Sequence, residues 1–124
     1  MTTTMTVEMV TFDTLDARAL AAWWAARTGG TVVDEAEGWF VAVEPADGAG
    51  LRLGFQKVPD PTPGKNRVHL DLHPSDPAAA VDELVAAGAT FVARHTEGPF
   101  SWAVLADPDG NQFCVSQPQT AAGS

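Results

Sequence analysis

The sequence has 124 residues, 45% apolar and 19% charged, enough for one core and too few for two independent ones. Sixteen acids against seven bases leave a formal net charge of −9. That balance argues against nucleic acid and anionic membrane as partners, because both demand clustered bases to neutralise phosphate.

The predicted elements follow in chain order. Val7–Asp13 reads as a strand. Asp16 is a helix N-cap, and Ala17–Ala26 is a helix with Leu20, Ala21, Trp23 and Trp24 on its apolar face. One ring of the tryptophan pair is expected in the core and the other at a rim or dimer contact. Gly29-Gly30 supplies the left-handed stop, and Thr31–Val33 is a strand. Trp39–Val43 and Leu51–Lys57 are strands flanking the turn residues 45–50. Pro59–Gly64 is a stiff linker. Arg67–His73 reads as a strand, Asp76 as an N-cap, and Pro77–Ala87 as a helix with proline tolerated at its first position. Ala79, Val81, Leu84 and Val85 are expected to form its apolar stripe. Gly88 ends the helix and Thr90–Val92 is a strand. Arg94–Pro99, with His95, reads as a polar loop. Ser101–Ala106 and Gln112–Gln117 are strands flanking Asp107–Asn111. That segment has turn chemistry and lacks the spaced ligands of a calcium loop. Thr120–Ser124 is a frayed tail.

The two halves repeat one order: strand, N-cap, helix, glycine, strand, then two more strands. Met9 stands seven residues before Asp16, and His69 seven before Asp76. Two βαβββ units, about residues 6–57 and 66–117 with a linker at 58–65, therefore make one α+β domain over residues 1–119. No apolar run nears the roughly 20 residues that span a bilayer. The opening residues Met1–Thr6 show no signal-peptide pattern, and the lone Cys114 forms no internal disulfide. A cytoplasmic location is expected.

Three segments carry a family resemblance: the tryptophan-bearing helix at Leu20–Trp24, the Gly-Lys-Asn-Arg-Val-His-Leu-Asp-Leu run at 64–72, and Ala-Asp-Pro-Asp-Gly-Asn-Gln-Phe-Cys at 106–114. With the repeated βαβββ order, the chain resembles the glyoxalase-like, or vicinal oxygen chelate, superfamily over residues 6 to 117. The resemblance implies a glyoxalase/bleomycin-resistance-like fold, with two half-sheets forming a cup, helices outside, and a homodimer.

Strand alternation sorts the cup-facing side chains. Val10, Phe12, Val68, Leu70 and Leu72 are expected beneath the helices. Met9, Thr11 and Asp13 then face inward, as do Arg67, His69, Asp71 and His73. Cys114 and Gln112 share a face opposite Phe113 and Val115. Arg52, Gly54 and Gln56 share one face of their strand, and Trp102 is placed at the mouth. Ligand-binding candidates are Met9, Thr11, Asp13, Gln56, His69, Asp71, Trp102 and Cys114. Phe40 and Phe55 are further stacking candidates. His69 and Asp13 are the catalytic candidates, with Asp13, an inward carboxylate, seeking a partner such as Arg67 or His73.

Metal-dependent members of the superfamily hold a divalent ion with His or Gln, Glu, His and Glu. Carried onto this chain, only His69 matches. Met9 stands at the first position, Gly54 or Gln56 at the second, and Cys114 at the fourth. His69 and His73 lie about 13–14 Å apart along a strand and cannot share an ion. No metal or other cofactor is therefore expected, although a rearranged site using His69, Cys114 and Asp71 or His73 stays open. The expected function is small-molecule binding, such as sequestration of a toxic or natural-product ligand. The alternatives are a metal-dependent or acid–base enzyme working at His69, and an interaction protein whose cup is filled by side chains.

Overall fold

The computed structural model describes residues 3–117; the tail expected at 120–124 lies outside them. The chain divides into two compact units on either side of the Pro63–Gly64 bond. Unit 1 contains β1 (Met9–Thr14), α1 (Ala17–Thr28), β2 (Thr31–Asp34), β3 (Phe40–Glu44) and β4 (Arg52–Lys57). Unit 2 contains β5 (Asp71–Leu72), α2 (Pro77–Ala86), β6 (Thr90–Glu97), β7 (Phe100–Ala106) and β8 (Gln112–Val115). Each unit carries a four-stranded mixed sheet, ordered β1-β4-β3-β2 in the first and β5-β8-β7-β6 in the second. In both, the first strand pairs parallel with the last and the other pairs are antiparallel. The repeat read in the sequence is thus a repeat of topology, and the fold is α+β.

Each helix starts as its sequence dictates. The Asp16 carboxylate accepts the Ala19 N–H at 3.1 Å, and the Asp76 carboxylate accepts the Ala79 N–H at the same distance. This satisfies donors that no carbonyl of the helix can reach. Gly29 closes α1 in the left-handed region at φ 74°, a backbone state that a side chain disfavours.

The core of unit 1 forms where α1 meets its sheet. Ala17, Leu20, Ala21, Trp24 and Ala25 are buried on the helix, and Val41, Val43, Leu53 and Phe55 on the strands. Trp24 is 1% exposed. Its ring lies 5.9 Å from that of Phe12, which stacks on Phe55 at 5.0 Å. Trp23 is half-buried, edge-on to Trp24 at 5.1 Å, with the Arg27 guanidinium over its face. Phe55, fully buried on this side, is not free to stack a ligand. Asp34 ties β2 to α1 by accepting from Arg18 at 2.6 Å and from the Gly38 N–H at 2.8 Å. The Gly38 N–H and, next, the Arg18 guanidinium hold its carboxyl below the usual carboxylate range.

Unit 2 departs from the sequence reading in three places. The strand expected over Arg67–His73 is reduced to Asp71–Leu72. Upstream, the Asn66 side chain takes the role of a ladder rung. Its Oδ1 accepts the Gln112 N–H at 2.8 Å, and its Nδ2 donates to the Gln112 and Val68 carbonyls at 2.9 and 2.8 Å. Val68, expected beneath the helix, is 73% exposed in consequence. The apolar stripe of α2 runs through Pro77, Ala80, Val81 and Leu84, while Ala79 and Val85 face solvent. The i, i+3, i+4, i+7 rule allows one such set, and position 79 lies outside it. Finally, β6 continues through His95 to Glu97, where a loop was expected, because the backbone pairs with β7 as far as Glu97 opposite Phe100. Gly98 at φ 58° turns the hairpin.

The Asp107–Asn111 turn closes on itself. Asp107 accepts the backbone N–H groups of Asp109 and Asn111 at 3.0 and 2.9 Å, and the Asn111 side-chain amide at 3.1 Å. Its carboxylate is committed to the turn.

Two substitutions test these packing claims. Trp24→Ala is expected to cost about 3–5 kcal/mol of unfolding free energy, read as a lowered midpoint in urea melts. Asn66→Ala removes three hydrogen bonds to the backbone of Val68 and Gln112, at a cost of about 1–3 kcal/mol. Amide exchange should then accelerate over residues 66–70 and at Gln112, with α1 unaffected.

Candidate ligand site

A cavity of about 780 Å³ lies wholly within unit 2. That volume is in the range of small-molecule sites, roughly 300–1,000 Å³. Three segments build it. The run before and through β5 contributes Lys65, His69, Asp71 and His73, β8 contributes Gln112 and Cys114, and the β6–β7 hairpin contributes His95, Phe100, Trp102 and Val104.

The hairpin wall is aromatic. Trp102 stacks between Phe100 at 5.5 Å and His95 at 5.3 Å between ring centroids. Phe100 and Trp102 share a face because they are two residues apart on β7. His95 reaches that face through an irregularity in β6. The pairing runs Phe91 with Leu105 and then Ala93 with Val104, so one residue is inserted between them. A one-residue bulge reverses the alternation beyond it. His95 therefore stands opposite Trp102 instead of on the face that Leu105 buries.

The opposite wall is polar. Asp71 and Cys114 are register partners across the parallel β5–β8 seam. His69 Nε2 lies 3.5 Å from an Asp71 carboxylate oxygen. The Cys114 thiol is pushed up by partial burial first, then by the negative Asp71 that it hydrogen-bonds, against a smaller pull from Lys65. It is a protonated thiol rather than an activated nucleophile. His73 Nδ1 sits 3.3 Å from the Ser116 carbonyl. A carbonyl only accepts, so Nδ1 carries the proton in that bond.

The sequence-derived residues fall into two groups. His69, Asp71, Trp102 and Cys114 are brought together in the cavity of unit 2. Met9, Thr11, Asp13 and Gln56 belong to the unit 1 sheet, where Thr11 pairs with Gly54 and Asp13 with Gln56. Asp13 is exposed there, so it has no burial to offset with a partner. His73, expected to face inward, lines the unit 2 cavity as well; Lys65, His95 and Phe100 also line it and were not among the candidates. A hairpin signal for the last two was present: Glu97-Gly98-Pro99 is a turn, and Phe100 and Trp102 alternate.

The metal of the superfamily can be tested against these side chains. In unit 1, a Cβ on Gly54 would lie 2.6 Å from the Met9 sulfur, 2.8 Å from the Thr11 hydroxyl and 2.9 Å from Phe40. Position 54 therefore offers no donor, and Met9 packs over it with a thioether, a poor ligand for a hard ion. Neither Met9 nor Gly54 supplies the imidazole or carboxylate expected at its position. In unit 2, the ligating atoms of His69, Asp71 and Cys114 all lie within 4.8 Å of one another. Imidazole, carboxylate and thiolate together suit a borderline-soft ion such as zinc rather than a hard one.

Comparison with curated proteins finds no match. Among solved structures, a glyoxalase-related enzyme from Fulvimarina pelagi superposes with a TM-score of 0.71 at 19% identity, covering 98% of this chain and 96% of that one. The oxidase ChaP-H2 gives 0.69 at 18% identity, covering 98% and 100%. A bleomycin resistance determinant encoded on the transposon Tn5 gives 0.65 at 20% identity, covering 94% and 100%. At such identities the likeness is one of fold, and the fold hosts more than one activity. A family model described as a glyoxalase-like domain matches residues 9–116. With its paired βαβββ units and this match across nearly its whole length, the chain belongs to the glyoxalase-like domain family.

Proposed function

We propose that this protein binds a flat, largely apolar small molecule in the cavity of unit 2, without the four-ligand hard-ion chelate of its superfamily. The observation that carries this reading is the row of three stacked rings, Phe100, Trp102 and His95, along one wall of a ligand-sized space. Aromatic faces give a planar ligand large contact area and a preferred orientation. Sequestration of a toxic or natural-product compound follows as the physiological role. The bleomycin resistance determinant among the structural neighbours is a precedent for resistance on this fold.

A second reading has its own observation in the convergence of His69, Asp71 and Cys114. Zinc held by these three would leave an open coordination position and supply an activated water there, which is the arrangement of catalytic rather than structural sites. His69 would then be a ligand of an enzyme's metal.

Two measurements separate these readings. Under the first, 2-naphthalenemethanol binds with 1:1 stoichiometry in the presence of EDTA, and Trp102→Ala weakens it about tenfold, as read by calorimetry. Melting temperatures with EDTA and with excess zinc then agree within about 2 °C. Under the second, zinc raises the melting temperature well beyond that at one equivalent, and Cys114→Ser or His69→Ala abolishes the rise.

A further inference from the structure

The unit 2 cavity is longer than a single ring system needs. Its volume of about 780 Å³ stands toward the upper end of small-molecule sites, roughly 300–1,000 Å³. Strand register gives its long axis. Val104 pairs with Cys114, and Ala106 with Gln112, across the antiparallel β7–β8 ladder. Trp102, Val104 and Ala106 share one face of β7, because alternate residues do. Trp102 lines the cavity at one end of this row, Val104 and Cys114 at its middle, and Gln112 at the other end. Trp102 and Ala106 are four residues apart, so the aromatic wall and Gln112 are separated by about 13–14 Å along the strands.

The far end of that axis carries an uncommitted polar group. Asn66 bonds the N–H and the carbonyl of Gln112 at 2.8 and 2.9 Å, so the backbone there is clamped. The Gln112 side chain is half-buried, lines the cavity and makes no hydrogen bond among the described residues. A carboxamide presents N–H donors and a carbonyl acceptor in one plane. The group that matches both is another amide edge, a carbonyl beside an N–H. A carboxylate would meet the donors and leave the acceptor unmatched. It would also share a cavity with the Asp71 carboxylate, the register partner of Cys114 at the middle of the row. The Lys65 ammonium, also in the lining, is turned to the Asn66 carbonyl at 3.4 Å.

We propose that the unit 2 cavity takes an elongated, neutral aromatic ligand with an amide edge at its far end, the ring on Trp102 and the amide on Gln112. The inference rests on the small-molecule reading of the same cavity and adds the ligand's length and its polar group. Two contacts at a fixed separation select by length as well as by chemistry. A rigid ligand with about 10 Å between ring centre and amide leaves about 3 Å for the hydrogen bond to Gln112. A shorter ligand satisfies one end at a time.

Calorimetry with EDTA present compares a long probe, 6-phenyl-2-naphthamide, with a short one, 2-naphthamide. Each is set against its methyl ketone, which keeps the shape and the carbonyl and lacks the N–H donors. The long amide should bind about fivefold more tightly than the long ketone, the worth of one hydrogen bond. The short pair should differ by less than about twofold. Gln112→Leu should close the gap within the long pair, and 6-phenyl-2-naphthoate should bind the unaltered protein more weakly than the long amide. The amide-to-ketone comparison on the unaltered protein stands whether or not the variant folds. Equal affinities within the long pair, an equal gap in the short pair, a gap that survives Gln112→Leu, or tighter binding of the naphthoate overturns the assignment. Binding of 2-naphthamide alongside any of these leaves the small-molecule reading standing. Failure of every probe to bind overturns both.

Discussion

The parallel seam between β5 and β8 is the contact on which the candidate site depends. It is two ladder residues long, Asp71 opposite Cys114 and Leu72 opposite Val115. The backbone bonds from Cys114 to Leu70 and from Ser116 to Leu72 mark its line. So short a seam would not by itself hold the preceding run. Asn66 lengthens it by bonding both backbone groups of Gln112 through one side chain. Everything on the polar wall follows: His69 and Asp71 beside Cys114, and His73 tethered to Ser116. A strand paired parallel to a sheet normally draws its stability from many regular bonds. Here a side-chain amide substitutes for two, and the exposed run presents His69.

The aromatic wall depends on a different local event. The extra residue in β6 between Phe91 and Ala93 reverses which side chains face the cavity. Upstream of it Phe91 shares a face with buried Leu105, and downstream His95 shares one with Trp102. One inserted residue thereby moves an ionisable ring from the face that packs on the core to the face that meets a ligand. Bulges next to binding sites often re-aim a side chain in this way.

The two units have the same topology and have been put to different use. In unit 1, Met9, Thr11 and Phe40 pack closely over Gly54. Trp24, Phe12 and Phe55 fill the space under α1. In unit 2 the helix contributes one buried side chain, Leu84, and the polar residues collect on the other face of the sheet. A shared fold constrains where side chains point and leaves their chemistry free. Histidine, thiol and carboxylate are gathered in one half, and thioether and glycine in the other.

Much of this was decided by local sequence. Asp16 and Asp76 cap their helices, Gly29 ends α1, and Asp107–Asn111 turns, because each requires only neighbours within a few residues. The spacing of Met9 to Asp16 and of His69 to Asp76 already declared the repeat. Alternation placed His69 and Asp71 on one face of their run, and Cys114 with Gln112 on one face of the last strand. What the sequence left open were relations between segments distant along the chain. The Asn66–Gln112 bonds join residues 46 apart, and they turned an expected strand into an exposed run with Val68 outward. The bulge that brought His95 to Trp102 depends on how β6 registers against β7, and the pattern of either strand alone is silent on it. Register and side-chain substitution for backbone bonds are pairwise properties, so only the folded chain could gather all three histidines around one cavity.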